Sequence, residues 1–163
     1  MPIAIAALLL LQTPAPPAPV CPVTPVPPPA ALKGWSTPAP AATAAVPAQA
    51  VSLTPGRAVR AALHPSDVVD FVVTPERAPA AGSYGGLLSF TVARAGRYRV
   101  ALGEGAWIDV LQGSRAIASV SHGHGPDCSG IRKIVDFDLS AGRYLLQVSG
   151  AKAGAVTAIV ARL

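Results

Sequence analysis

The chain has 163 residues, 51% of them hydrophobic and 13% charged, with a formal net charge of +5. That length holds one domain and little more. The positive balance comes mainly from arginines spread between Arg57 and Arg162 without a run, which excludes the clustered basic face of a nucleic-acid binder. Composition then divides the chain. Thirteen of the eighteen prolines lie in residues 1–47, and every charged residue except Lys33 lies after residue 50. The folded unit is therefore nearer roughly 110 residues, an ordinary size for one core.

Residues 3–11 are unbroken apolar, from Ile3 to Leu11. A bilayer span needs about twenty residues, so this run predicts no transmembrane helix. It fits the apolar region of a secretory signal, with small residues at Thr13 and Ala15 and cleavage after Ala15 or Ala18. The other reading is a buried element of the domain, against which the prolines that follow speak. Residues 1–20 are thus expected to be an export signal, placing the protein in the periplasm or outside the cell.

Residues 21–50 are rich in proline and alanine, a composition that favours extended polyproline II and a spacer role. Trp35 is the one aromatic residue there, and it either docks on the domain or serves as a recognition aromatic. Cys21 and Cys128 are the only cysteines. In an oxidising compartment the pair predicts one disulfide. Free thiols are an alternative, and so is a lipid on Cys21, though Ala18, Pro19 and Val20 match a lipidation signal poorly.

From residue 51 to residue 163 short apolar or alternating runs recur between glycine, proline and aspartate. They predict nine strands: Val59–Leu63, Val68–Val73, Leu87–Val92, Tyr98–Leu102, Trp107–Leu111, Ala116–Val120, Ile134–Leu139, Tyr144–Val148 and Val156–Val160. No long stretch carries a helical period with caps. The expected fold is all-β, an antiparallel, jelly-roll-like β-sandwich over residues 51–163. One unit occurs twice. Phe90, then Ala95-Gly96-Arg97-Tyr98, parallels Phe137, then Ala141-Gly142-Arg143-Tyr144, with the phenylalanine one residue nearer the turn in the second copy. Each reads as a strand with an inward phenylalanine, a tight hairpin turn and a strand opening on tyrosine.

This unit resembles the β-sandwich domains of the pre-peptidase C-terminal type that accompany secreted bacterial enzymes. The resemblance covers roughly residues 66–150 and implies a noncatalytic module that binds polymer or aids secretion. The whole chain is also similar to small exported β-sandwich proteins of alphaproteobacteria.

The stretch richest in reactive side chains is Ser121-His122-Gly123-His124-Gly125-Pro126-Asp127-Cys128. In extended chain His122 and His124 face one side, where two imidazoles can share a metal, with Asp127, Cys128 or the distant His64 as further ligands. The His-x-His pattern resembles cupin-type dioxygenases of the homogentisate kind, with Asp127 in place of their glutamate. That resemblance implies an iron or zinc cofactor. The other reading is a polar loop pinned by Cys128. No Gly-x-Ser-x-Gly nucleophile elbow accompanies Ser121. A second candidate is Glu104, Trp107 and Asp109. Trp107 and Asp109 share a strand face, and a tryptophan beside carboxylates suits a carbohydrate platform or a core position equally.

The functional expectation is an exported, noncatalytic binding or structural module, without cofactor, for a carbohydrate or cell-envelope ligand. The alternative is a small metal-dependent dioxygenase using His122 and His124. Oligomeric state stays open.

Overall fold

Strict alternation carries the fold. In Gly96–Leu102 the side chains of Tyr98, Val100 and Leu102 are buried in one core, while Arg97 and Arg99 turn to the other face. A computed structural model describes residues 20–22 and 26–163, so the expected signal segment lies outside the described residues save for Val20. Among the described residues the strands are β1 (Ala39–Ala42), β2 (Val51–Leu53), β3 (Val59–Ala62), β4 (His64–Pro65), β5 (Tyr84–Val92), β6 (Gly96–Leu102), β7 (Trp107–Gln112), β8 (Arg115–Ala116), β9 (Ser121–Gly123), β10 (Lys133–Leu139), β11 (Gly142–Ala151) and β12 (Ala155–Arg162). One sheet runs β1-β3-β12-β6-β10-β9 and the other β2-β5-β11-β7-β8, with β4 beside β5.

The two sheets face each other as a β-sandwich, as the alternation predicts. They are mixed, however. β1 pairs with β3, and β2 with β5, in parallel. Both parallel partners come from the segment just before residue 55, whose long connections allow it to run alongside its neighbours.

The repeated unit is not a hairpin. β5 and β6 lie in different sheets, as do β10 and β11, so each Ala-Gly turn is a corner between sheets. The pairing has two-fold character. Tyr98 stands opposite Phe137 and Gly96 opposite Leu139 in one sheet. Tyr144 stands opposite Phe90 and Gly142 opposite Val92 in the other. β6 lies between β12 and β10, and β11 lies between β5 and β7. The half β5–β6–β7 therefore interlocks with the half β10–β11–β12, each middle strand held between the outer strands of the other half. The corner tyrosines close the comparison. Tyr98 donates its hydroxyl to the Arg94 carbonyl and Tyr144 to that of Ser140, both at 3.0 Å. Phe90 stacks on Tyr144 with ring centroids 5.6 Å apart.

The segment read as a spacer is, from Ala30 onward, part of the domain. Leu32 is fully buried and Trp35 is 8% exposed, in a 3-10 helix (Ala30–Ser36) laid on the outer face of the first sheet. There they meet Ala101, Ile134, Ile159 and Ala161, the outward residues of β6, β10 and β12. Burying a large side chain is worth roughly 1.5–3 kcal/mol, enough to recruit an otherwise featureless strap. Pro40 is accommodated because β1 is an edge strand and needs partners on one side only. The Trp35 indole donates to the Ser129 carbonyl at 3.2 Å, and Cys21 is bonded to Cys128, whose Cα lies 5.3 Å away.

Two predicted strands are absent. Residues 69–82 cross the outer face of the second sheet without pairing. The Asp70 amide donates to the Ala45 carbonyl at 2.8 Å, and residues 72–73 are held by a side chain: Gln147 accepts from the Val72 amide at 3.0 Å and donates to the Val73 carbonyl at 2.9 Å. Of residues 116–120 only Ala116 is in a strand, because this stretch passes from one sheet to the other.

Beside the apolar strap, the outer face of the first sheet carries two cross-strand ion pairs. Arg97–Asp138 is exposed, at 50% and 59%, and contributes little. Arg99–Asp136 is bidentate, at 2.7 and 2.8 Å, and Asp136 is buried and also accepts from the Ser121 hydroxyl. The Arg99 guanidinium, helped by Ser121, holds Asp136 below the usual carboxylate range against the opposing pull of burial. Its stabilising effect is therefore complete above the unfolded value of about 3.9 and is lost as pH falls through the lower folded value. Asp136→Asn should cost about 2–4 kcal/mol at pH 7. In urea melts taken from pH 7 to pH 2 the gap to wild type should close at the acid end.

Candidate functional site

The histidine stretch does not converge. β9 ends at Gly123, so the extended spacing that would align His122 with His124 stops between them. His122 lies opposite Val135 and lines a small cavity of about 120 Å³ with Trp107, Ser119 and Lys133. His124 donates from Nδ1 to the Arg132 carbonyl at 2.7 Å and lines a different cleft. Asp127 is exposed, and Cys128 is committed to the disulfide. His64 is on β4, in the other sheet, and its Nε2 donates to the Thr43 carbonyl at 3.0 Å. Among the described residues no three histidine, cysteine or carboxylate side chains are grouped to hold a metal.

Trp107 and Asp109 do share a face, on the outside of the second sheet. The Trp107 indole donates to one Asp109 oxygen at 3.1 Å, and the Gln147 amide donates to the other at 3.0 Å. Burial pushes the Asp109 carboxyl up from its ordinary range, opposed by these two donors and aided by the charge of Glu76. Lys133 places its ammonium 5.8 Å from the centre of the Trp107 ring. That ammonium stands over the ring, and the cavity beside it is small, about 120 Å³. The Trp107–Asp109–Gln147 chain is the polar seam that ties residues 72–73 to the sheet.

Glu104 is separated from both. It sits in the loop between β6 and β7, and its Oε1 accepts from the backbone amide of Lys152, in the turn between β11 and β12, at 2.8 Å. These two connections are equivalent under the two-fold pairing, and Glu104 joins them. Its Oε2 is buried without a donor. Glu104 and Gly103 form the wall between two clefts. One, of about 430 Å³, is bounded by Trp35, Arg60, Gly130 and Thr157. The other, of about 440 Å³, is bounded by Gly105, His124, Arg132 and Lys152. The tryptophan beside Glu104 is thus Trp35 of the strap. A Cβ on Gly103 would stand 3.7 Å from Trp35 Cζ2 and one on Gly130 would stand 3.7 Å from Trp35 Nε1. Larger side chains at these two glycines would cover that edge of the indole. Sequence spacing had no means of joining Trp35, Arg60, Glu104, Arg132 and Lys152. The only local signal was the Gly103-Glu104-Gly105 run, an acidic residue framed by glycines between two strands.

The polar seam generates a stability prediction. Gln147→Leu leaves the Val72 amide, the Val73 carbonyl and one Asp109 oxygen without their partner. The expected cost is about 2–4 kcal/mol. Hydrogen exchange should show the 69–82 segment loosening while β6 and β10 stay protected. Uniform loosening would mean that Gln147 supports the core rather than the segment. Comparison of the chain with family models, with curated proteins and with solved structures finds no match.

Proposed function

We propose that this protein is an exported, noncatalytic binding module whose N-terminal strap is locked to the domain by a disulfide. The observation that carries the reading is the bond between Cys21 and Cys128. A structural disulfide of this kind belongs to oxidising compartments, and it closes a loop of 107 residues. The same bond occupies the sulfur that a lipid anchor would need. Among the described residues no helix is long and apolar enough to cross a membrane.

The dioxygenase reading gains no support from the geometry, since His64 lies in the other sheet from His122 and both His64 and His124 are engaged with backbone carbonyls. The binding reading is supported by the paired clefts around Glu104, which lie where loops from distant parts of the chain meet at one end of the sandwich. Binding sites favour such loops on a rigid scaffold.

Five measurements test this. Fractionation of the native host should place the protein outside the cytoplasm, with mature chains that begin before Cys21. Thiol labelling of that unreduced form should find no free cysteine, and isolated cell-envelope material should retain it. Two labelled thiols on cytoplasmic protein overturn the export reading. Cys21→Ser with Cys128→Ser should lower stability by about 2–5 kcal/mol, the scale expected when a long loop is no longer cross-linked. Adding zinc or ferrous iron should shift the melting temperature of the wild type no more than that of His122→Ala/His124→Ala. A metal-dependent shift lost in the double variant would favour the dioxygenase instead.

A further inference from the structure

The two clefts adjoin at Gly103 and Glu104, which line both, and together make a groove divided at its centre by these two residues. Arg60 stands along one cleft, and Arg132, Lys152 and His124 along the other. Among the described residues none of Arg60, Arg132 and Lys152 is paired with a carboxylate, the two ion pairs being Arg97–Asp138 and Arg99–Asp136. Glu104 is the one acidic side chain lining either cleft. The groove is therefore cationic at both ends, with a single fixed carboxylate at its centre.

That charge order selects its ligand. A bare polyanion such as a nucleic acid would set phosphates against Glu104 and would want exposed aromatic faces for its bases, which this groove lacks. A neutral glycan would leave the arginines unused. A chain that alternates carboxylates with hydroxyls satisfies both. Its carboxylates pair with Arg60 on one side and with Arg132 and Lys152 on the other. Its hydroxyls donate to Glu104, whose Oε2 has no donor among the described residues. Glu104 lines both clefts and is anchored between them through its other oxygen, which accepts from the Lys152 amide. Cavities of about 430 and 440 Å³ each lie within the range of small-ligand sites. Ala153 and Ala155 with the exposed edge of Trp35 form a low apolar floor against which a sugar ring can lie.

We propose that the groove centred on Glu104, between Arg60 and the Arg132–Lys152 pair, binds an acidic polysaccharide of the uronic-acid type. This assignment rests on the binding-module reading and names its ligand class.

The test uses the mature, disulfide-bonded chain and trigalacturonate as the probe, with neutral dextran and poly-glutamate for comparison, in calorimetric titrations at low and at physiological salt. Saturable binding of trigalacturonate is expected, weaker at the higher salt. Arg60→Ala, and separately Arg132→Ala with Lys152→Ala, should each weaken it by about tenfold or more. Glu104→Gln separates recognition from plain charge attraction. It should weaken the oligouronate, which loses its ionised hydroxyl acceptor, and tighten poly-glutamate, which loses a repulsion. Absence of saturable trigalacturonate binding overturns the proposal. So does unchanged affinity in the arginine and lysine variants, or poly-glutamate binding as tightly as the sugar, which would make this a groove for acidic peptides. If envelope material retains the protein while trigalacturonate does not bind, only the ligand class falls and the binding-module reading stands.

Discussion

Two cross-strand pairs of aromatic residues hold this molecule to one topology. Tyr98 lies opposite Phe137 in the first sheet and Tyr144 opposite Phe90 in the second. Each pair joins a strand of one half to a strand of the other, so neither half can complete its core alone. The register also fixes direction: sliding β10 by one residue against β6 would turn Phe137 outward and bring Asp136 into the apolar interior. It would also separate Arg99 from Asp136. Burial and ion pairing thus select the same register from opposite faces of one sheet.

With the interior settled, each sheet still has an outer face to cover. The two coverings use different physics. On the first sheet four outward apolar residues meet Leu32 and Trp35, and the cover is held by burial, one indole hydrogen bond and a covalent staple. On the second sheet Gln147 and Asp109 provide hydrogen-bonding groups in place of apolar ones, and residues 72–73 bind to a side-chain amide as though to another strand. A backbone segment can be fixed this way because the Val72 amide and the Val73 carbonyl both find a partner on the sheet. The arrangement also explains the raised Asp109 carboxyl, which is buried by the segment it helps to hold.

Alternation made the interior strands legible. Tyr98–Leu102, Ile134–Leu139 and Tyr144–Val148 all lie within strands, because their inward residues repeat every second position and glycine marks their ends. The same signal misled at Val68–Val73. Its valines are apolar enough for a strand, yet the partner that decides the matter is Gln147, more than seventy residues away. The strap was hidden for the opposite reason. Alanine and proline carry little periodic signal, and the value of Leu32 and Trp35 depends on an apolar face assembled from β6, β10 and β12. The turn chemistry of Ala95-Gly96 and Ala141-Gly142 was readable as a turn, but local residues do not say whether a turn returns to the same sheet or crosses to the other. At the candidate sites, Trp107 and Asp109 were correctly placed on one face, whereas the histidines were separated by the end of a strand only three residues long.

The groove begins where the interlock stops. β6 ends at Leu102, and Gly103 and Glu104 follow; β11 ends at Ala151, and Lys152 follows. Up to those points every second side chain is committed to the core, and its identity is constrained by packing. Beyond them the chain is free to carry charge. The Glu104–Lys152 backbone contact joins the two connections, so the carboxylate is held by the rigid part of the molecule. Arg132 is held almost as closely, since its amide donates to the Leu102 carbonyl at 2.9 Å. Trp35 has a different footing. It belongs to the strap, and the loop carrying Ser129 and Gly130, on which it rests, is itself tied through Cys128 to Cys21. One wall of the groove thus derives its position from the interlocked sheets alone, and the other also from a covalent bond. Loss of that bond would loosen the Trp35 side first and leave Glu104, Arg132 and Lys152 in place.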